Sequence, residues 1–302
     1  MTSLAAVAFG LFLSVPGLTQ AQYTFTTIDV PKATATLANG NSTDAIAGQF
    51  DDADGTHGFV LNNDGFTTIN EPAAAGFTAI NGINSSGQLA GTYFDAGGTP
   101  HAFFDKNGNF ITLIPPGSIR SQGGFINTQS QVVGTYRDAN QKRHGFIWRN
   151  GRFTTTFNVP DDDAFFGTVA FGINDSGDVV GNYVANGEVR KGGDKSQNPP
   201  RHGFRRSSNG DFTRFDVPGA YITIGEGINN AGTIVGVYVL TDGKLHGFVL
   251  NNGVVFTTVD VPDSKGKAQQ TEINSINANG EIVGFYNDSK GVAHGFLGVP
   301  TP

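Results

Sequence analysis

The stretch from Gly227 to Pro262 decides the fold. It reads GINNAGTIVGVYVLTDGKLHGFVLNNGVVFTTVDVP, and the chain from residue 22 onward consists of degraded copies of this unit. Runs rich in β-branched and aromatic residues, separated by Asn-Gly and Asp-Gly pairs, are typical of short strands joined by tight turns. The unit therefore predicts an all-β protein built from one repeated element.

Three landmarks recur in the copies. The first is Gly-Ile-Asn or a close variant, centred on Asn41, Asn84, Asn127, Asn174, Asn229 and Asn277. The second is His-Gly-Phe, or His-Ala-Phe in one copy, at His57, His101, His144, His202, His246 and His294. The third is Phe-Thr-Thr-x-Asp-Val-Pro, opened in its variants by Phe25, Phe66, Phe110, Phe153, Phe212 and Phe256. Together they predict four strands per copy, a to d, with Gly-Ile-Asn ending strand a, His opening strand c and Phe-Thr-Thr forming strand d.

The spacing and phase of the repeat predict a six-bladed β-propeller. Successive histidines recur with a period in the mid-forties, and only the interval from His144 to His202 is clearly longer. Such a period with four strands per copy is the mark of propeller blades. The first copy begins with a d strand at Phe25 and the last ends with a c strand at His294. Pairing these two strands completes the sixth blade and removes an exposed sheet edge. The alternative is an open β-solenoid, which gains nothing from this offset and needs capping repeats.

The landmarks resemble those of the bacterial extracellular repeat family called HAF, after its His-Ala-Phe signature. That signature stands here as His101-Ala102-Phe103 and as five His-Gly-Phe variants, so the resemblance covers residues 23–298. It implies an exported β-repeat protein and supplies no catalytic residues.

Composition excludes several classes of function. The formal net charge of −7 argues against the basic surface that nucleic-acid binding requires. The chain has no cysteine, so disulfides, thiolate metal sites and cysteine nucleophiles are absent.

The segment 1–21 is predicted to be a signal peptide. The apolar run from Leu4 to Val15 is too short to span a bilayer, and Thr19-Gln20-Ala21 matches a small-x-small cleavage site. No Lys or Arg precedes the run, and the alternative is a buried first strand. We expect a secreted or periplasmic monomer with no transmembrane segment, in which residues 22–302 form one propeller.

Blade four is the most irregular copy and gives the first candidate binding site. The interval from its strand-b glycine to its histidine, Gly181 to His202, is about twice the corresponding interval from Gly91 to His101 in blade two. In a propeller the b–c loops and d–a crossovers share one face, and binding usually resides on loops carried by a rigid scaffold. The candidate residues are Arg190, Lys191 and Lys195 of the long loop and Asp161, Asp162, Asp163, Phe165 and Phe166 of the crossover. The alternative is a neutral insertion.

A second candidate site lies at the axial mouth, which strand a lines. A ring of hydroxyls is expected there from Thr36, Thr78, Ser121, Thr168, Thr223 and Thr271, with Asn39, Asn81, Asn274, Glu226 and Glu272 beside it. Carbonyl and carboxylate oxygens suit an axial calcium ion. The alternative is a water-filled channel whose hydroxyls are satisfied locally. No other cofactor is predicted.

The six histidines are not expected to bind a metal ion, because one histidine in each blade cannot converge with the others on one ion. We expect each imidazole to hydrogen-bond an adjacent strand or turn. No motif identifies a catalytic residue, and two carboxylates acting as acid and base stay possible. The leading hypothesis is a binding or scaffold module for a glycan or a protein. The alternative is a propeller-type hydrolase, lactonase or lyase with its site at the axial mouth.

Overall fold

The computed structural model describes residues 19–20, 23–163, 165–188, 199–241, 243–251, 253–262 and 269–301. These residues form 25 strands, β1 to β25, and no helix. Six antiparallel blades of four strands make up the fold, with β1 added as a fifth strand at the edge of one of them, and the predicted six-bladed propeller is confirmed. No helix within the described part of the chain is long and apolar enough to span a membrane.

Blades one to five each run from strand a to strand d in chain order. Blade one contains β3 (Ala35–Asn41), β4 (Ile46–Asp51), β5 (Thr56–Asn62) and β6 (Gly65–Ile69). Blade two contains β7 (Thr78–Ile83), β8 (Leu89–Phe94), β9 (Pro100–Lys106) and β10 (Asn109–Leu113). Blade three contains β11 (Ser118–Ile126), β12 (Val132–Asp138), β13 (Arg143–Arg149) and β14 (Arg152–Phe157). Blade four contains β15 (Thr168–Ile173), β16 (Val179–Tyr183), β17 (His202–Arg206) and β18 (Phe212–Phe215). Blade five contains β19 (Ile222–Ile228), β20 (Ile234–Val239), β21 (Leu245–Asn251) and β22 (Val255–Val259).

Blade six joins the two ends of the chain. Its strands are β23 (Gln270–Ile276), β24 (Ile282–Asn287), β25 (Ala293–Pro300) and, as strand d, β2 (Tyr23–Ile28). Strands β2 and β25 pair antiparallel along the whole of β2, from Tyr23 opposite Pro300 to Ile28 opposite Gly295. The predicted closure by the N-terminal strand is therefore confirmed. The short strand β1 (Thr19–Gln20), which falls within the predicted signal peptide, pairs in parallel with β22 of blade five.

The six a strands surround the axis, each in contact with the a strands of both neighbouring blades. Every a strand carries a register shift shortly before its Gly-Ile-Asn turn, or its counterpart in the variant copies. A β-bulge of this kind bends a strand and redirects a side chain. We call the face with the b–c loops and d–a crossovers the upper face, and the face with the a–b and c–d turns the lower face.

The hydrophobic core lies between successive blades. The phenylalanine of each His-x-Phe landmark is at most 1% exposed and packs into these layers; the six are Phe59, Phe103, Phe146, Phe204, Phe248 and Phe296. The strand-b glycine makes room for that ring. A Cβ atom on Gly236 would lie 1.9 Å from the Ile224 carbonyl oxygen and 3.0 Å from the Phe248 ring. The His-x-Phe landmark is thus a packing signal.

The asparagine of Gly-Ile-Asn ties neighbouring blades together at the lower face. In blade two, the Asn84 side-chain oxygen accepts hydrogen bonds from the backbone N–H groups of Ser86 and Gln88, while its amide nitrogen donates to the Asn127 carbonyl oxygen of blade three at 2.9 Å. Equivalent inter-blade bonds are donated by Asn127, Asn174, Asn229 and Asn277. This landmark also has a structural role.

Candidate functional site

Each histidine hydrogen-bonds a neighbouring loop or strand end, as predicted. Five of them place Nδ1 at 2.6–3.0 Å from an Asp or Asn at the end of strand d, and in blade two the exposed Ile114 occupies that position instead. The Nε2 atoms of several approach an acid in the b–c loop, such as Asp95 at 2.8 Å from His101. Each imidazole also lies against a Phe or Tyr ring of strand b, with centroids 4.9–5.6 Å apart. The histidines therefore connect strand c by hydrogen bonds to the end of strand d on one side or to the b–c loop on the other.

The hydroxyl ring predicted for the axial mouth is not at the channel surface. All six side chains are at most 2% exposed. Five accept a hydrogen bond from a backbone N–H group in the preceding crossover, at 2.8–3.2 Å. In blade three, Ser121 accepts from the Ala102 N–H group and donates to the Leu113 carbonyl oxygen. These hydroxyls hold the crossovers against strand a, which is the local satisfaction that the alternative interpretation anticipated.

Glu226 and Glu272 do come together at the axis, and we call them the carboxyl pair. Glu226 is 8% exposed. Burial, reinforced by the neighbouring Glu272, raises the pKa of Glu226 well above its ordinary value, and the positive charge of Arg201 offsets part of this rise. Burial raises the pKa of Glu272 to about 7. Neither carboxyl group forms an ion pair or hydrogen bond with a described residue. Burial therefore favours the protonated form of both carboxyl groups, and the pair has hydrogen-bonding capacity that no described residue uses.

The axial asparagines are used mainly between blades. The Asn274 amide donates to the Ala38 carbonyl oxygen at 3.1 Å, and the Asn39 amide donates to the Ile80 carbonyl oxygen at 3.0 Å. The side-chain oxygen of Asn81 is buried without a partner among the described residues. No group of three or more His, Asp or Glu residues in the described chain is arranged around a common metal position. Because Ca²⁺ takes six to eight oxygen ligands, the two carboxyl groups and Asn81 offer few of them. An axial calcium stays a prediction.

A row of three arginines crosses blade three at the upper face, and we call it the arginine row. Arg120 is directly opposite Arg137 across β11 and β12, and Arg137 is directly opposite Arg143 across β12 and β13. The row lines a cavity of about 170 Å³ together with Pro100, Ser121, Gln122, Thr135 and Tyr136. Burial, reinforced by the charges of Arg137, Arg201 and Arg120, lowers the pKa of Arg143 to about 10. The cavity is therefore lined by three cationic side chains.

The blade-four crossover contributes aromatic surface, and two of its three aspartates, Asp162 and Asp163, bond to neighbouring residues. Asp162 accepts hydrogen bonds from Asn158 and Thr168 and pairs with Lys142, and the Asp163 carboxylate accepts from the N–H groups of Phe165 and Phe166. Asp161 adopts a positive φ of 67° in the turn. Phe165 is 40% exposed, stands edge-on to Phe166, and has the Arg137 guanidinium carbon 4.9 Å from its ring centre. Of these five residues, Phe165 alone joins the arginine row.

The basic residues predicted in the long loop, Arg190, Lys191 and Lys195, lie outside the described residues. At the start of that loop, the Glu188 carboxylate accepts a hydrogen bond from His202 Nε2 at 2.5 Å. At its end, the Arg201 backbone N–H donates to the carbonyl oxygen of Tyr221, whose ring is 41% exposed. Both ends of the loop are thus fixed to the upper face.

The arginine row was not predicted from the sequence. A signal for it exists in the residue before each histidine, which is Thr56, Pro100, Arg143, Arg201, Leu245 or Ala293. Arginine appears there in blades three and four only. Recognising its neighbours Arg120 and Arg137 requires the register of all three strands.

Comparison with solved structures supports the fold. The chain is similar to a fungal fucose-recognising lectin from Aleuria aurantia with a six-bladed propeller fold, at 15% identity and a TM-score of 0.52, covering 89% of this chain and 97% of the lectin. It is similar to TolB from Acinetobacter baumannii at 11% identity and a TM-score of 0.54, covering 86% of this chain and 65% of TolB. It is also similar to an inactive virginiamycin B lyase from Staphylococcus aureus bound to quinupristin, at 12% identity and a TM-score of 0.50, covering 91% of this chain and 88% of the lyase.

No protein-family model and no curated protein matches the chain. At these identities the structural likeness shows the fold alone. The β-propeller is thus the level at which this chain is related to known proteins, since the same fold carries both binding and enzymatic functions.

Proposed function

We propose that this chain is a secreted or periplasmic binding module that takes a glycan at its upper axial mouth. The observation that carries the proposal is that polar side chains free of ion pairs with described residues occur on the face that also exposes aromatic rings. Glu272 offers a carboxyl group, Arg143 offers a guanidinium, and Phe165 and Tyr221 expose their rings on the same face. Sugars combine many hydroxyl groups with apolar ring faces, so planar polar groups next to aromatic rings suit them.

Two sequence features support export. Residues 1–21 have the apolar run and small-residue cleavage site of a signal peptide. The repeat landmarks resemble the HAF family, whose members are extracellular. We propose a monomer, because the pairing of β2 with β25 covers the edge of β25 that an open ring would leave exposed.

The carboxyl pair favours a second candidate function, a hydrolase or lyase acting at the same mouth. A general acid is most effective when its pKa lies near the working pH, and Glu272 with a pKa of about 7 meets this condition. Burial also raises the pKa of Glu226, and its carboxyl group, when protonated, would donate a hydrogen bond to the substrate. Paired titratable groups in one cleft mark a candidate catalytic site as well as a binding site.

A glycan array on purified residues 22–302, combined with metal analysis, tests the proposed function. We expect binding to a restricted set of glycans and at least tenfold weaker binding after Glu272→Ala, because a contact made through a buried carboxyl group is lost. Asn230→Ala, which alters an exposed residue of the lower face, serves as the matched control and should bind like the parent. Cleavage of a bound glycan, abolished by Glu272→Gln, would establish the enzymatic candidate instead. Absence of any glycan binding would contradict the proposal.

A further inference from the structure

The like charges of the arginine row destabilise the folded protein, and the fold does not require arginine at these positions. Residues directly opposite each other on neighbouring strands have Cβ atoms about 4.5–5.5 Å apart, and like charges in such pairs are destabilising. Arg120, Arg137 and Arg143 form two such pairs in succession across one sheet. Three positive charges thus stand side by side in a protein whose net charge is negative.

Other blades show that the same positions can be filled without charge. In blade five the corresponding row is Ile222, Val239 and Leu245, which is wholly apolar. In blade two, Phe94 lies opposite Pro100 and its ring stacks on Phe77 with the centroids 4.4 Å apart. The architecture therefore accepts apolar residues here, and the arginines of blade three need another explanation.

The charges of the row are not neutralised by the described part of the protein. The ion pairs made there by arginine join Arg205 to Asp178 and Arg214 to Asp216. Arg137 is 6% exposed and donates to the carbonyl oxygens of Gln141 and Phe165, which fix its position. Arg143, half-buried beside it, forms no hydrogen bond through its guanidinium with a described residue. Its donors are therefore available to a ligand in the cavity.

We propose that the arginine row is an oxyanion subsite that binds the carboxylate or sulfate group of an acidic sugar. Guanidinium groups match the geometry of carboxylates and sulfates through paired N–H donors, and a half-buried site strengthens such bonds relative to water. Phe165, next to Arg137, provides a ring on which the sugar rests. The inference deepens the proposed function, because it names the charge that the bound glycan carries.

The test measures anion binding at the row separately from glycan recognition. Purified residues 22–302 are titrated with sodium sulfate, sodium glucuronate and glucose at constant ionic strength, with calorimetry and the melting temperature as readouts. Arg143→Leu introduces the residue that blade five carries at this position, and Arg120→Gln changes the exposed end of the row. Arg149→Leu removes the same charge from the exposed lower end of the same strand and is the matched control.

We expect sulfate and glucuronate to bind saturably and to raise the melting temperature of the parent and of Arg149→Leu, as any ligand specific for the folded state does. Arg143→Leu and Arg120→Gln should bind both anions at least tenfold more weakly. Arg143→Leu should melt no lower than the parent, because a like-charge pair is removed. Glucose should have no such effect.

Each outcome decides one of the two proposals. Equal anion binding by the parent and Arg143→Leu, or none by the parent, overturns the oxyanion subsite. If neutral glycans nevertheless bind and Arg143→Leu leaves them unaffected, the proposed glycan function stands without the subsite. If both anions bind through the row while no glycan binds on the array, the subsite stands and the glycan function fails. A lower melting temperature of Arg143→Leu with anion affinity unchanged assigns the row a structural role.

Discussion

At the scale of single residues, polar side chains hold strands, loops and blades of this propeller together through hydrogen bonds. Each histidine contacts a strand-b ring and one or more neighbouring acids or amides, and most Gly-Ile-Asn asparagines bond to the next blade. Buried polar groups stabilise a fold only when they are satisfied, since an unpaired one costs about 1–3 kcal/mol. The side chains of the carboxyl pair and the guanidinium of Arg143 make no such bonds with described residues and consequently have capacity for a ligand.

His246→Ala tests the fastening role. His246 Nδ1 lies 2.9 Å from the Asp260 carboxylate, which is itself 10% exposed, and the imidazole stacks on Tyr238. Removing the imidazole leaves a buried acid without this partner, so we expect a loss of about 1–3 kcal/mol in the free energy of unfolding. Denaturant unfolding measures it. His101→Ala, in the blade where Ile114 replaces the strand-d acid, should cost less. Loss of bound zinc or copper on His246→Ala would show that the histidine is a metal ligand.

Glu272→Gln tests the burial of the carboxyl pair through its pH dependence. The pKa of Glu272 rises from 4.5 to about 7 in the folded state, so the folded protein holds a proton that the unfolded chain releases. Stability is therefore lost as pH rises through this window, by up to about 3 kcal/mol, and the loss persists above pH 7. Glu272→Gln should match the parent near pH 4.5 and exceed its melting temperature at pH 8. Glu281→Gln on the lower face is the control, and identical pH profiles for parent and Glu272→Gln would contradict the assignment.

The sequence identified the carboxyl pair but not the arginine row, for a physical reason. Glu226 and Glu272 lie within a few residues before the Gly-Ile-Asn landmark or its variant, and therefore on strand a. Because the a strands surround the axis of the ring, the sequence predicts that the two side chains approach the axis. The arginine row depends on which residues of three strands are opposite one another, and a shift of one residue would turn its side chains to the other face. The burial of the strand-a hydroxyls was missed because the bulge changes which positions face the channel.

At the scale of elements, the blades are alike in their strands and differ in their upper connections. The strand order, the closure and the roles of the landmarks follow from the repeat, since one unit must bury its faces against its neighbours. The sequences of the upper loops differ from blade to blade, so the repeat does not predict the side-chain contacts of an individual loop. Asp162 and Asp163 illustrate this, because the Asp162 carboxylate accepts a hydrogen bond from Thr168 and the Asp163 carboxylate accepts one from the Phe165 N–H group. A ligand-binding role for the acidic triplet Asp161, Asp162 and Asp163 stays a prediction.

Shortening the long loop of blade four tests whether it is part of the binding surface. Glu188 must be kept, because it accepts a hydrogen bond from His202. Replacing residues 189–198 with a short turn should leave the melting temperature within a few degrees, since loop length alone costs about 0.6 kcal/mol per doubling. If Arg190, Lys191 and Lys195 contact the ligand, binding on the glycan array should fall at least tenfold. Undiminished binding would show that the insertion is neutral and would leave the upper mouth as the whole site.

At the scale of the whole molecule, the ring depends on its N-terminal strand. Deleting residues 23–30 removes β2 and exposes β25 as a free edge, and it uncovers the core that Ile28 and Val30 share with Phe50 and Phe59. We expect a loss of several kcal/mol and aggregation. Thermal melting and size-exclusion chromatography measure both, with residues 22–302 as the control. A monomer with unchanged melting temperature would contradict closure in solution.

The pairing of β2 with β25 also sets the order of events when the protein is made. Tyr23 is among the first described residues to leave the ribosome, and its partner Pro300 is among the last. The ring cannot close until β25 has been synthesised, and contacts between residues so far apart in the sequence form slowly. A nascent chain carrying five blades keeps an open strand edge throughout elongation. Completion of the ring is thus a late step, which has to wait until the strand β25 is available to pair with β2.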